Sequence, residues 1–218
     1  MLPNPDLRDA LDRYVTDLFA PEDAVLKEIQ ARADANGLPS ISIKPFEGRL
    51  LQFLLQSIGA KRVVEIGGLA GYSAVWLARA LPADGQIYVV EKSSKHTAVI
   101  RETFEKAGLT GRAHVLEGDA LVMLAKLTPH GPFDCVFIDA DKLSSPHYLD
   151  WAVRNLRDGG LVAIHNAYRR GAVLDPQTEE DHAVDGINRA VAARSDLFAT
   201  IIGVGDGLLA AIKRPSAS

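Results

Sequence analysis

Cysteine occurs once in this chain of 218 residues, and methionine and tryptophan twice each. A single thiol excludes a disulfide framework, and Cys135 lies in the apolar run Phe133 to Ile138, where it reads as a small buried hydrophobe. No apolar stretch approaches the ~20 residues that cross a bilayer. The first residues carry Pro3, Asp6 and Asp9 in place of the basic segment and apolar core of a secretory leader, so a cytoplasmic protein is expected. Clustered basic residues are missing as well. A net charge of -4 leaves no electrostatic footprint for nucleic acid or an anionic membrane, and small molecules are the expected partners.

What is present is an ordinary globular composition, 47% hydrophobic and 24% charged, which excludes disorder and coiled coil. The length fits one α/β domain, with a helical appendage over 1–59 and a core over 60–214. Apolar residues recur at helical spacing over 7–18, 22–35 and 46–58, the last two closed by Gly37 and Gly59. Such an appendage covers a site or forms a dimer face, so a homodimer is expected. Beyond it strands and helices alternate. Strands are predicted near 62–67, 86–91, 113–117, 134–139 and 161–165, with crossover helices over 72–81, 94–107, 119–127 and 146–157. A helix over 182–193 then precedes two apolar runs, 198–204 and 207–213, that form an antiparallel hairpin at the sheet edge. The pattern predicts a doubly wound, Rossmann-like seven-stranded sheet with its last strand antiparallel, and a frayed tail over 215–218.

Three strands end on polar residues. In an open parallel sheet, ligands bind beyond the carboxyl ends of the strands. After the first strand, Glu65-Ile66-Gly67 runs into Gly68, Gly71, Tyr72 and Ser73, a turn that brings bare backbone against a ligand before a helix opens. A dinucleotide fingerprint is excluded, because Leu69 and Tyr72 occupy positions where it needs glycine. Glu65 repels a pyrophosphate and suits a cationic amino acid moiety, Glu91 with Lys92 closes the second strand where a ribose would lie, and Gly118-Asp119-Ala120 follows the third where an adenine edge would. A cationic amino acid, a ribose and an adenine without phosphate describe S-adenosylmethionine. Each acid also has a plainer role open to it, Glu65 and Asp119 as helix caps and Glu91 as an exposed strand end.

The ordered set Glu65-Ile66-Gly67, Gly71-Tyr72-Ser73, Val136 to Lys142, Asn166 and Val204-Gly205-Asp206-Gly207 resembles the class I O-methyltransferases of the catechol and caffeoyl-CoA type, over roughly residues 41 to 214. The resemblance implies methyl transfer from S-adenosylmethionine to a hydroxyl of a small, catechol-like or phenolic acceptor. It implies a divalent cation held by Asp139 and Asn166, and Lys142 as the base that takes the acceptor's proton. His165 departs from that pattern, which has aspartate there. A nitrogen donor replaces a hard oxygen, so magnesium is disfavoured and three outcomes are open: a site for manganese or another transition metal on Asp139, His165 and Asn166; a weakened site; or no metal, with His165 as the general base. Asp139 also borders the cofactor. On the acceptor side Lys44, Tyr168 and Arg169 are candidates, Tyr168 by stacking on an aromatic ring. The broken pattern leaves a second reading, a binder of S-adenosylmethionine or S-adenosylhomocysteine that has lost catalysis. Histidines 96, 114, 130, 147 and 182 show no ligand spacing with one another.

Overall fold

The computed structural model describes residues 5–215, so the frayed tail expected at the carboxyl end falls, apart from Pro215, outside the described residues. Helices α1 (Pro5–Phe19), α2 (Ala24–Ala35) and α3 (Pro45–Ser57) precede the sheet, and α4 (Tyr72–Ala80) to α8 (Glu179–Ala193) alternate with its strands. Between these last lie α5 (Ser94–Lys106), α6 (Ala120–Leu127) and α7 (Ser145–Asn155). The strands are β1 (Arg62–Ile66), β2 (Gln86–Glu91), β3 (Ala113–Glu117), β4 (Phe133–Ile138), β5 (Leu156–His165), β6 (Leu197–Ile202) and β7 (Leu208–Lys213).

Their order is β3-β2-β1-β4-β5-β7-β6, with β7 antiparallel to both of its neighbours. The hairpin therefore does more than close an edge: its second strand is interior and its first forms the border. The strand order reverses between β1 and β4, and a crevice opens there beyond the strand ends. Alternate residues of each strand face opposite helical layers. Val63, Ile87, Val89, Cys135, Phe137, Leu161 and Ala163 pack towards α2 to α5, whereas Val64, Val90, Val136, Ile138, Val162 and Ile164 pack towards α6 to α8. Leu26, Ile29, Leu51 and Leu55 join the first of these layers, so the amino-terminal helices share the core with the sheet. Cys135 is fully buried, and that burial pushes its thiol pKa up, which suits an inert hydrophobe.

One boundary differs from the expectation of a helix running to 157. Helix α7 stops at Asn155 and β5 already begins at Leu156, because Leu156 pairs with Phe133 across an irregularity that shifts the register before Cys135. Gly159 and Gly160 supply it: Gly159 has φ +72°, and a Cβ on Gly160 would come within 2.8 Å of Arg157 O.

The tightest approach of a glycine to backbone is at the switch point. Gly67 has φ +94°, and a Cβ there would lie 2.2 Å from the Asp139 carbonyl oxygen. Gly67→Ala is expected to destabilise the fold by about 3 kcal/mol through backbone strain and overpacking. Urea unfolding reads that loss, and an unchanged midpoint would contradict the close packing of β1 on β4.

Candidate active site

A crevice of about 1620 Å³ runs along the carboxyl ends of the strands. At one end lie Gly67, Gly68, Leu69, Tyr72, Ser73, Glu91, Lys92, His96, Asp119 and Ala120; at the other lie Lys44, Glu47, Asp139, Lys142, His165, Asn166 and Arg169. Most of the strand-end residues singled out by sequence thus border one continuous space. Glu65, Gly71, Gly118 and Tyr168 do not line it.

The loop after β1 is held by acids. Glu91 Oε2 accepts from the amides of Gly68 (3.2 Å) and Leu69 (3.0 Å), and its Oε1 accepts from Ser93 N (2.9 Å). Gly68 is required because a Cβ would meet Val89 Cγ1 at 2.5 Å. Gly71, at φ +83°, is the residue before α4. Glu65 stands one layer behind the crevice wall, fully buried, with Ser73 Oγ donating to its Oε1 and its Oε2 without a partner among the described residues. Burial, reinforced by the charges of Asp139 and Glu91, raises its pKa to about 8 despite the Ser73 hydrogen bond. At neutral pH it is mostly a neutral acid, and Ser73 is what meets the crevice. Tyr72 turns its hydroxyl to Glu22 Oε1 (2.7 Å), fastening the segment before α2. Asp119 caps α6, its Oδ1 accepting from Leu121 N (3.0 Å) and Val122 N (3.4 Å), while Gly118 at φ +143° brings the chain to it.

At the far end, His165 sits between two carboxylates. Its Nε2 is 3.0 Å from Glu47 Oε1, and its Nδ1 is 3.3 Å from Asp139 Oδ2. The second contact is within ion-pair range but not aligned as a hydrogen bond, and Nδ1 has no hydrogen-bond partner among the described residues. Burial pushes the imidazole pKa down, but Asp139 and Glu47 outweigh it and raise it to about 9. Burial also works against the Asp139 carboxylate, and His165 and Lys142 hold its pKa below the ordinary value. Lys142 Nζ donates to His165 O (3.4 Å) and lies 3.7 Å from Asp139 Oδ1. Its loop is fixed by Asp141, which accepts from Ser144 N (2.8 Å) and Tyr148 Oη (2.7 Å). Asn166 follows in the left-handed region at φ +61°, and this turn carries the chain into the crevice rim.

Sequence reasoning missed Glu47. The sequence places it in the first turn of α3, where its Oε2 accepts from Lys44 N (2.7 Å); that it also reaches His165, 118 residues on, is a tertiary fact with no local signal. Arg8, which donates to Gly205 O (2.7 Å) and brings α1 to the crevice mouth, was missed as well. Lys44 is exposed at the rim. Arg169 lines the rim but is bound to α8, with Nε donating to Asp181 Oδ1 (3.1 Å) and Nη2 to Glu180 Oε2. The Tyr168 ring packs instead on the turn before β7, 2.8 Å from where a Gly207 Cβ would be.

The family model described as O-methyltransferase matches residues 16–214. A catechol O-methyltransferase of Niastella koreensis is 40% identical over 205 residues, covering 91% of this chain and 92% of that protein. Among solved structures, an O-methyltransferase from Bacillus cereus in complex with S-adenosylhomocysteine superposes with a TM-score of 0.89 at 35% identity, covering 94% and 97% of the two chains. TomG, an O-methyltransferase from Streptomyces achromogenes in complex with S-adenosylmethionine, gives 0.90 at 31% identity, covering 98% and 100%. The chain belongs to the O-methyltransferase family.

Proposed function

We propose that this protein transfers the methyl group of S-adenosylmethionine to a hydroxyl of a small aromatic acceptor, catechol-like or phenolic, in the cytoplasm. The observation that carries the reading is the single crevice, with a glycine-rich loop and Glu91 at one end and Asp139, Lys142 and His165 at the other. In-line displacement needs donor and acceptor held in one space and the acceptor's proton removed. The loop Gly67–Leu69, Ser73, Glu91, Lys92 and the Asp119-Ala120 edge are suited to the adenosyl and amino acid parts of the donor. Lys142, having first given its own proton to solvent, takes the acceptor's proton as a neutral amine, the oxygen attacks the sulfonium methyl, and the carbon–sulfur bond breaks with its electron pair left on sulfur.

Asp139, His165 and Asn166 are the residues that would hold a divalent cation, which would first have to displace the proton that the raised pKa of about 9 keeps on His165. The buried Nδ1 and Asp139 Oδ2, 3.3 Å apart, are a pair that takes a positive charge between its members, and in the protein as it stands that charge is the proton of the His165 imidazolium. A cation bound there would supply charge that lowers the pKa of the acceptor hydroxyl.

Calorimetric titration with S-adenosylmethionine and S-adenosylhomocysteine, followed by mass spectrometry of catechol and phenol acceptors, tests the reading. Saturable heat and one added methyl group are expected, and no heat with either ligand would remove it. Heat without methylation of any acceptor would favour a binder that has lost catalysis.

Self-association belongs to the same reading. Helix α1 exposes Leu7, Leu11, Tyr14, Leu18 and Phe19, and α3 exposes Phe53. Light scattering is expected to give a dimer mass that falls when Leu11 and Tyr14 are replaced with lysine, and a monomer at every concentration contradicts it.

A further inference from the structure

We infer that Arg32 and Thr103 are positioning residues that hold the cofactor loop in shape, so that the amino-terminal appendage sets the protein's affinity for S-adenosylmethionine. The inference rests on the cofactor reading above and adds the residues that shape the loop for it.

The loop after β1 enters the left-handed region twice, at Leu69 (φ +49°) and at Gly71 (φ +83°), and the first of these is strained because the residue carries a side chain. Such a bend persists only where its surroundings impose it. Glu91 holds the amides of Gly68 and Leu69. The carbonyl of Ala70, between the two bends, is held by a different element: Thr103 Oγ1, on α5, donates to it at 2.9 Å. Thr103 is fully buried, and a Cβ on Gly71 would lie 3.2 Å from its Cγ2.

Thr103 Oγ1 in turn accepts from Arg32 Nη1 at 3.1 Å. A guanidinium only donates and a carbonyl only accepts, so the hydroxyl has one arrangement left to it, with its proton on Ala70 O. Arg32, on α2, thereby fixes a rotor that could otherwise turn back on a carbonyl of its own helix. The guanidinium is itself held by carboxylates. Its Nη2 donates to Glu28 Oε1 (2.9 Å) and its Nε lies 3.2 Å from Glu102 Oε1, while Lys106 bridges the same two acids. Arg32 is 9% exposed, and neither it nor Thr103 lines the crevice. With Glu22 accepting from the Tyr72 hydroxyl, α2 and the segment before it grip the loop at Ala70 and again where α4 begins.

Calorimetric titration with S-adenosylmethionine and hydrogen exchange of segment 66–73 in the ligand-free protein are the two readouts. Thr103→Val keeps the side-chain outline and removes the hydroxyl. It is expected to weaken cofactor binding about tenfold and to speed exchange of the loop amides, with kcat at saturating cofactor and KM for the acceptor unchanged. Arg32→Met should do the same, and Thr103→Ser should recover the wild-type values. Because Arg32 acts through the Thr103 hydroxyl, Arg32→Met should cost nothing further in the Thr103→Val background. Asp134→Asn, at the other end of the sheet where Asp134 accepts from Lys61 N and Arg62 N, should lower stability and leave both readouts alone. If circular dichroism shows that Arg32→Met fails to fold, Arg32→Lys takes its place, since it keeps the charge but loses the fork that reaches Thr103 and both acids together.

The inference is overturned if Thr103→Val binds the cofactor and exchanges like the wild type, if Thr103→Ser recovers neither readout, or if Arg32→Met weakens binding as much in the Thr103→Val background as alone. A wild type that does not bind S-adenosylmethionine, while exchange still responds to Arg32 and Thr103, refutes the proposed function and leaves the positioning role standing. Equal cofactor binding by the wild type and every variant, with exchange unchanged, does the opposite.

Discussion

Replacing Lys142 with methionine lowers kcat for methyl transfer by about 10²–10⁴-fold, the contribution typical of a positioned proton acceptor. Methionine keeps the length and apolar stem of the side chain, so the loss reports the amine and not a cavity. The side chain is only 11% exposed and its Nζ sits between His165 O and Asp139 Oδ1, beside the acceptor end of the crevice. Affinity for S-adenosylmethionine should be unchanged. A sharper reading comes from a pair of acceptors, one with a hydroxyl protonated at neutral pH and one carrying electron-withdrawing groups that already ionise it. The variant should lose far less activity on the second. Equal losses on both would mean that Lys142 does not take the proton.

The second large effect is on stability. Unfolded Glu65 ionises near the ordinary value of 4.5, whereas in the folded protein burial holds the proton on until about 8. Between those values the folded state binds more protons than the unfolded state, so stability falls as pH rises. His165 acts in the same direction higher up: its pKa is raised from 6.5 to about 9, and its contribution is complete below 6.5 and lost as pH climbs through 9. A tenfold difference in proton affinity between the folded and unfolded states is worth about 1.4 kcal/mol. Together the two groups should therefore remove a few kcal/mol of stability between about pH 5 and pH 9 in the presence of chelator. Urea unfolding across that range measures it. Glu65→Gln retains an acceptor for Ser73 and should flatten the lower part of the slope while leaving the part due to His165. A wild-type protein whose midpoint rises from pH 5 to pH 8 would contradict the buried, protonated acid.

The architecture was largely legible because most strands are short apolar runs closed by a glycine or an acid, and those punctuation marks report the backbone directly. Gly67 and Asp139 border the crevice for that reason, and Gly71 makes the turn before α4 without lining it. The start of β5 was not legible: Leu156 reads equally as the last turn of a helix, and only its pairing with Phe133 decides the matter. Within the site, sequence order pointed to the strand ends but could not rank depth. Glu65 and Ser73 are eight residues apart, and nothing local says that the serine stands in front of the acid. An aromatic ring suggests an acceptor platform at Tyr168, while the glycines at 203 and 207, which make room for that ring beside β7, lie more than thirty residues downstream. Glu47 lay outside the reading because its partner is on a different layer of the fold.

The interior position of β7 has a consequence for biosynthesis. Residues 208–213 leave the ribosome after the other six described strands have emerged, yet they fill the gap between β5 and β6. Until they arrive, the border of β5 is a row of unsatisfied amides and carbonyls next to His165, open to pairing with any extended peptide nearby. A nascent chain stalled before Leu208 should therefore be a chaperone client with no formed acceptor wall, and enzymatic competence should come in one late step.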